Sequence, residues 1–118
     1  MTIGFSNAFA QDTSLVVRIA KLQIDAAQLE NYKAALKEHA ETAVKAEPGV
    51  ITLYAVYEKN NPTYVTVFEI YANQAAYQSH LKTPHFLKYK TVTKDMVKHL
   101  ELVETVPIAL ASKPAIPK

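Results

Sequence analysis

Two alternating runs rich in β-branched and aromatic residues, 50–58 and 63–71, flank Lys59-Asn60-Asn61-Pro62, and no other feature of the chain limits its fold as strongly. A period of two over nine residues is the signature of a strand, and the Asn and Pro residues between the runs supply turn chemistry, so the stretch predicts a β-hairpin. Pro48-Gly49 immediately ahead ends any helix that precedes it.

The flanks complete the pattern. Residues 15–22 read as a first strand, with a loose arm before them. Asp25 suits a helix N-cap, and Leu29, Tyr32, Leu36, Ala40 and Ala43 recur at helical spacing over residues 26–46. Asn73 caps a short helix running to about residue 81. Thr83-Pro84 then opens another, whose buried stripe is Phe86, Tyr89, Thr93, Met96, Val97 and Leu100. Residues 101–108 return to strand character, and the tail from 109, with Pro114 and Pro117, leaves the domain.

The order β-α-β-β-α-β predicts an α+β, ferredoxin-like fold with an antiparallel sheet covered by helices on one face. Val, Ile, Tyr and Phe fall on both parities of the strands, so a monomer would leave its second face apolar and open to water. Pairing two such faces at about 25 cal/mol per Å², over several hundred Å² per partner, is worth more than about ten kcal/mol before association costs. The expectation is a homodimer, sheet against sheet, forming a dimeric α/β barrel.

At 118 residues the chain suits one domain, residues 14–108, with an arm or signal-peptide remnant at 1–13 and a Pro/Ala-rich tail at 109–118. A net charge of +2, spread over scattered lysines and glutamates, makes no basic stripe, so no nucleic-acid partner is expected. The absence of cysteine excludes disulfides, thiolate nucleophiles and Cys-based metal sites. No apolar run approaches the roughly 18 to 20 residues that a membrane span needs. Ala8-Phe9-Ala10 before Gln11-Asp12 reads like a signal cleavage site, but residues 1–7 lack a basic n-region. Localisation is therefore periplasmic or exported if the motif is a signal remnant, and cytoplasmic otherwise.

Chemistry concentrates in His39, Glu69, Tyr71, His80 and His85. Strand parity sets Val67, Glu69 and Tyr71 on one face and Tyr64, Thr66, Phe68 and Ile70 on the other, which stands a carboxylate in an otherwise apolar row. A buried Glu needs a partner or a raised pKa, and a helix histidine would give a salt bridge or an acid/base pair. His39 borders the first helix's buried stripe, and its plain reading is a half-exposed helix histidine. His80 lies on the sheet-facing side of its helix. His85 takes the second position of the next helix, where the N-terminal dipole disfavours the imidazolium. For both, the plain reading is capping or packing. No Gly-rich phosphate loop, His-Glu-x-x-His motif or nucleophile elbow is present, and the spacing of the histidines with Glu69 is not diagnostic of a metal.

The combination of His39, Glu47-Pro48-Gly49, Glu69 with Tyr71, Ala76, His80 and Thr83-Pro84-His85-Phe86, in that order, resembles the antibiotic biosynthesis monooxygenase family over about residues 15 to 108. The resemblance implies oxidation of a small aromatic, quinol or phenolic substrate by molecular oxygen, without flavin, haem or metal. It implies a catalytic base at His85 or His80, Glu69 orienting that base, and substrate contacts from His39, Tyr71, Tyr89 and Phe86. The family's haem-degrading branch is similar in using a tryptophan, which this chain lacks. Two other readings accompany the oxygenase: an isomerase of a phosphorylated autoinducer-type sugar, with Arg18, Lys82 and Lys88 as phosphate contacts, and a non-catalytic dimeric domain that binds a small ligand.

Overall fold

The computed structural model describes residues 14–114, so Ala8-Phe9-Ala10 and Pro117 lie outside the described residues. Strand β1 (Val16–Ile24) leads through a 3-10 turn (Ala26–Gln28) into helix α1 (Leu29–Ala46). The hairpin β2 (Val50–Glu58) and β3 (Asn61–Tyr71) follows, then helices α2 (Gln74–His80) and α3 (Pro84–Thr93), then β4 (Val97–Thr105). The four strands form one sheet in the order β2-β3-β1-β4, antiparallel at every junction, which is the ferredoxin-like arrangement. Among the described residues no helix is long and apolar enough to cross a membrane.

Register decides what the site receives. Arg18 pairs with Glu69 on one side and Glu104 on the other, so a charged row crosses the helix-covered face of the sheet. Ala20 lies between Val67 and Leu102, and Leu22 between Val65 and Leu100, which makes the next two rows apolar. Helix α1 buries Tyr32, Leu36, His39 and Ala43 at spacings of four, three and four, the 3.6-residue period that keeps one face on the sheet. Tyr32, Leu36, Ala20, Leu22, Ile24, Val65 and Val67 form the main core.

Three boundaries differ from the sequence reading. Asp25 caps the 3-10 turn, accepting a hydrogen bond from Ala27 N, and the α-helix begins only at Leu29. The hairpin turn is Lys59-Asn60, and Pro62 is in strand; it lies beyond the last β1 pair, Gln23 with Tyr64, so its missing N–H breaks no bond to β1. Helix α3 stops at Thr93, and β4 covers Val97–Thr105 rather than 101–108, so Met96 lies in a turn and Val97 and Leu100 are strand residues. The Met96 N–H bonds to the Thr93 carbonyl, and the Met96 carbonyl accepts from Asp25 N, which ties the turn to the end of β1.

The joint after α1 is tight. Gly49 sits so close to α2 that a Cβ there would lie 2.5 Å from Ala76 Cβ. Gly49→Ala is therefore expected to destabilise the domain by about 1–3 kcal/mol through overpacking, seen as a lower urea midpoint at unchanged slope.

Candidate active site

Glu47 follows the last residue of α1 and precedes Pro48. A residue before proline is pushed towards extended backbone, and Glu47 has φ −110° and ψ 111°. That turn carries its side chain off the helix and against the α2–α3 joint. There the His80 Nδ1–H donates to Glu47 Oε2 at 2.8 Å and the His85 Nε2–H donates to the same oxygen at 2.5 Å. Thr83 fixes the joint. Its Oγ1 donates to the His80 carbonyl at 2.8 Å and accepts from Phe86 N at 3.2 Å, so one hydroxyl ends α2 and opens α3.

His80 is 2% exposed and touches the rings of Tyr71, Phe86 and His39 at centroid distances of 5.2 to 5.3 Å. His39 is 7% exposed, not half-exposed, and stacks on Tyr89 at 4.8 Å and 17°. Its Nδ1 is buried without a hydrogen-bond partner. Burial first, then the neighbouring His80 and His85, push the His39 imidazole down to about 4, so it is neutral at pH 7.

A cavity of about 350 Å³ separates the helices from the sheet, a volume suited to a small ligand. His80, Glu69, His39, Tyr71, Tyr89 and Phe86 all line it, so six of the seven residues singled out from the sequence share one cavity, Glu69 and Tyr71 from the sheet and the others from the helices. His85 does not; it lines a second cavity of about 210 Å³ between α1 and α3, and His39 belongs to both. Glu69 is held by Tyr71, whose hydroxyl donates to Glu69 Oε1 at 2.8 Å, and it is not hydrogen-bonded to a histidine. Burial lifts Glu69 above the usual carboxylate value, opposed by the Tyr71 bond and by Arg18 and His80. Burial and Glu69 together keep the Tyr71 phenol protonated. At this end of the cavity Arg18 pairs with Glu104 at 2.9 Å and lies 4.4 Å from the Tyr77 ring centroid. Deeper in the core, the hydroxyls of Tyr32 and Tyr89 share a 2.6 Å hydrogen bond.

The carboxylate that meets the histidines is thus Glu47, which the sequence marks only as a helix stop. With the proton on Nδ1 and Glu47 as its acceptor, Nε2 is the unprotonated nitrogen of a side chain that lines the cavity.

His39 gives the domain a pH dependence. Its folded pKa lies below its ordinary value of 6.5, so the stability it confers is complete above pH 6.5 and is lost as pH falls towards about 4. The loss is roughly 3 kcal/mol. Glu69, with its pKa raised, acts in the opposite sense as the pH falls. Denaturation midpoints of wild type and His39→Phe, compared between pH 7 and pH 4, are expected to converge or cross because only wild type loses this contribution.

These features define a small ferredoxin-like domain with a buried imidazole–carboxylate cluster at one wall of an aromatic cavity. The family model for antibiotic biosynthesis monooxygenases matches residues 15–92, and the chain belongs to that family. A crystal structure from Bacteriodes thetaiotaomicron VPI-5482, described as a candidate antibiotic biosynthesis monooxygenase, is 48% identical, with a TM-score of 0.84 over 88% of this chain and 99% of that one. A candidate monooxygenase from Lactobacillus acidophilus NCFM is 32% identical with a TM-score of 0.76, over 80% of this chain but 44% of its own length. A third structure, from Nitrosomonas europaea, shares the fold at 20% identity, with a TM-score of 0.75 over 80% of this chain and 91% of that one. No curated protein matches the chain. The family and the first two of these neighbours support a monooxygenase-like function.

Proposed function

We propose that the protein is a cofactor-independent monooxygenase that oxidises a small phenolic, quinol or anthrone-type substrate with molecular oxygen. The observation that carries this reading is His80, buried beside an aromatic cavity with its Nδ1–H held by Glu47. His80 takes a proton from the substrate, and Glu47 stabilises the imidazolium that forms. The electron-rich anion transfers an electron to oxygen, and the radical pair recombines through a new C–O bond. Loss of water then breaks the O–O bond. With an anthrone, a methylene becomes a carbonyl, which removes four electrons; one oxygen atom stays in the product and the other leaves as water with two hydrogens from the substrate. The phenols of Tyr71 and Tyr89 stay protonated and add no negative charge beside the anion.

The three cations that the sequence offers to a sugar phosphate are poorly placed for one. Of the three cations considered for a phosphate, Arg18 alone lines the cavity, and it is already paired with Glu104; Lys88 is paired with Glu38 outside it. The experiment is an oxygen-electrode assay on chelator-stripped protein with a panel of hydroquinones and anthrones. Uptake well above the autoxidation blank is expected; none across the panel would return the weight to isomerase or binder.

The same reading takes a homodimer. On the sheet face away from the helices, Tyr54, Phe68, Ile19 and Val103 line up across all four strands, and Tyr54 is 48% exposed. Sedimentation is expected to give the mass of two 13.1-kDa chains, shifted towards one by Tyr54→Lys; a monomeric wild type would exclude the sheet-to-sheet pair.

A further inference from the structure

Glu47, His80 and His85 come from three separate segments: the end of α1, the last residue of α2 and the second residue of α3. Their donor atoms, one carboxylate oxygen and two ring nitrogens, nevertheless all lie within 4.8 Å of one another. A base held by a carboxylate needs one imidazole. The second imidazole, His85, is outside the main cavity and has no part in taking a proton from a substrate there.

Two imidazoles and a carboxylate form a donor set suited to first-row divalent cations such as zinc. We propose that Glu47, His80 and His85 bind one such cation, and that the bound cation holds the reaction off. Glu47 is a carboxylate whose ion partners among the described residues are the two imidazoles, so a divalent ion meets an anion with no lysine or arginine already paired to it. Zinc–ligand bonds of about 2.0–2.2 Å put tetrahedral donors about 3.3 Å apart. The contacts to Glu47 are 2.8 and 2.5 Å and all three donors lie within 4.8 Å, so the ion enters if Glu47 draws back and the two imidazoles close in, each by less than about 1.5 Å. The fourth coordination position is left to water.

The effect on catalysis rests on the proposed function. A cation held by His80 Nδ1 takes the lone pair of that nitrogen and leaves the ring proton on Nε2. His80 then has no basic nitrogen for the substrate. One side chain therefore serves either the base or the ion, never both at once.

The test is calorimetric titration of chelator-stripped full-length protein with Zn²⁺, repeated with His85→Ala, Glu47→Gln and, as a control, His99→Ala on exposed β4. One zinc per chain is expected, weakened by His85→Ala and Glu47→Gln by at least about tenfold, the loss seen even for outer-shell partners, and unchanged by His99→Ala. Co²⁺ should give visible d–d bands that His85→Ala removes. His85 is at a helix start and partly exposed, so that variant keeps the test alive if Glu47→Gln fails to fold. Binding absent in wild type, or equal in wild type and His85→Ala, overturns the site. Because the titration uses no substrate, its failure would leave the oxygenase reading standing, and a failed oxygen assay would leave the ion site standing.

Discussion

His80→Ala is expected to lower the turnover number for oxygen uptake by about 10² to 10⁴, the contribution of a positioned general base, with a much smaller change in KM. Among the histidines, His80 is the one that both lines the main cavity and has a carboxylate on its other nitrogen. His39 shares the cavity, but with its imidazole pushed down to about 4 it is a weak base at neutral pH and its Nδ1 has no partner to orient it. His85 has the carboxylate but faces the second cavity. Steady-state rates on the oxygen electrode check this directly. Activity within about threefold of wild type in His80→Ala would remove the base from His80 and with it the role given to Glu47.

Glu47→Gln is expected to lower turnover by roughly 10² to 10³ while leaving the fold intact. The amide oxygen can still accept from both imidazoles, so the geometry is largely kept, but the negative charge beside His80 is gone. At an effective dielectric of 20, two unit charges about 4 Å apart attract by about 4 kcal/mol. That attraction exists only after His80 has taken the proton, so its loss falls on the barrier and not on substrate binding. The split between turnover and KM, read beside the urea midpoint, separates this from a structural defect: turnover should fall with KM and midpoint nearly unchanged. A fall in turnover accompanied by a lower urea midpoint would mean that Glu47 acts through packing.

The same residue shows where sequence reasoning stops. Helix and strand periods are local, so the hairpin, the α1 stripe and the strand face that Glu69 shares with Val67 and Tyr71 could be read directly. The phase of His39, three residues after Leu36 and four before Ala43, set it at the edge of the buried stripe but did not decide between that layer and a half-exposed place, and its burial came only with the packing of α2 and α3. Glu47 was different, because Glu-Pro-Gly is punctuation in a sequence, and its partners are 33 and 38 residues away. The signal that could have found it is the proline: the residue before Pro48 is held extended, which turns its side chain off the helix axis. Parity gave Glu69 the correct face but not the correct neighbour. Register sets it opposite Arg18, and Arg18 opposite Glu104, so its charge belongs to a row across the sheet. The α3–β4 boundary failed for a related reason. Thr93, Met96, Val97 and Leu100 fit a helical stripe, and only the tie from Met96 to Asp25 makes the chain turn there.

The proposed reaction is carbon oxidation by molecular oxygen without a redox cofactor. The measurement that reaches this most directly is mass spectrometry of the product formed by chelator-stripped enzyme from an anthrone under ¹⁸O₂. One ¹⁸O atom in the new carbonyl, formed at a rate that His80→Ala abolishes, is the predicted result. Product carrying oxygen from water, or formed equally fast by His80→Ala, would contradict it.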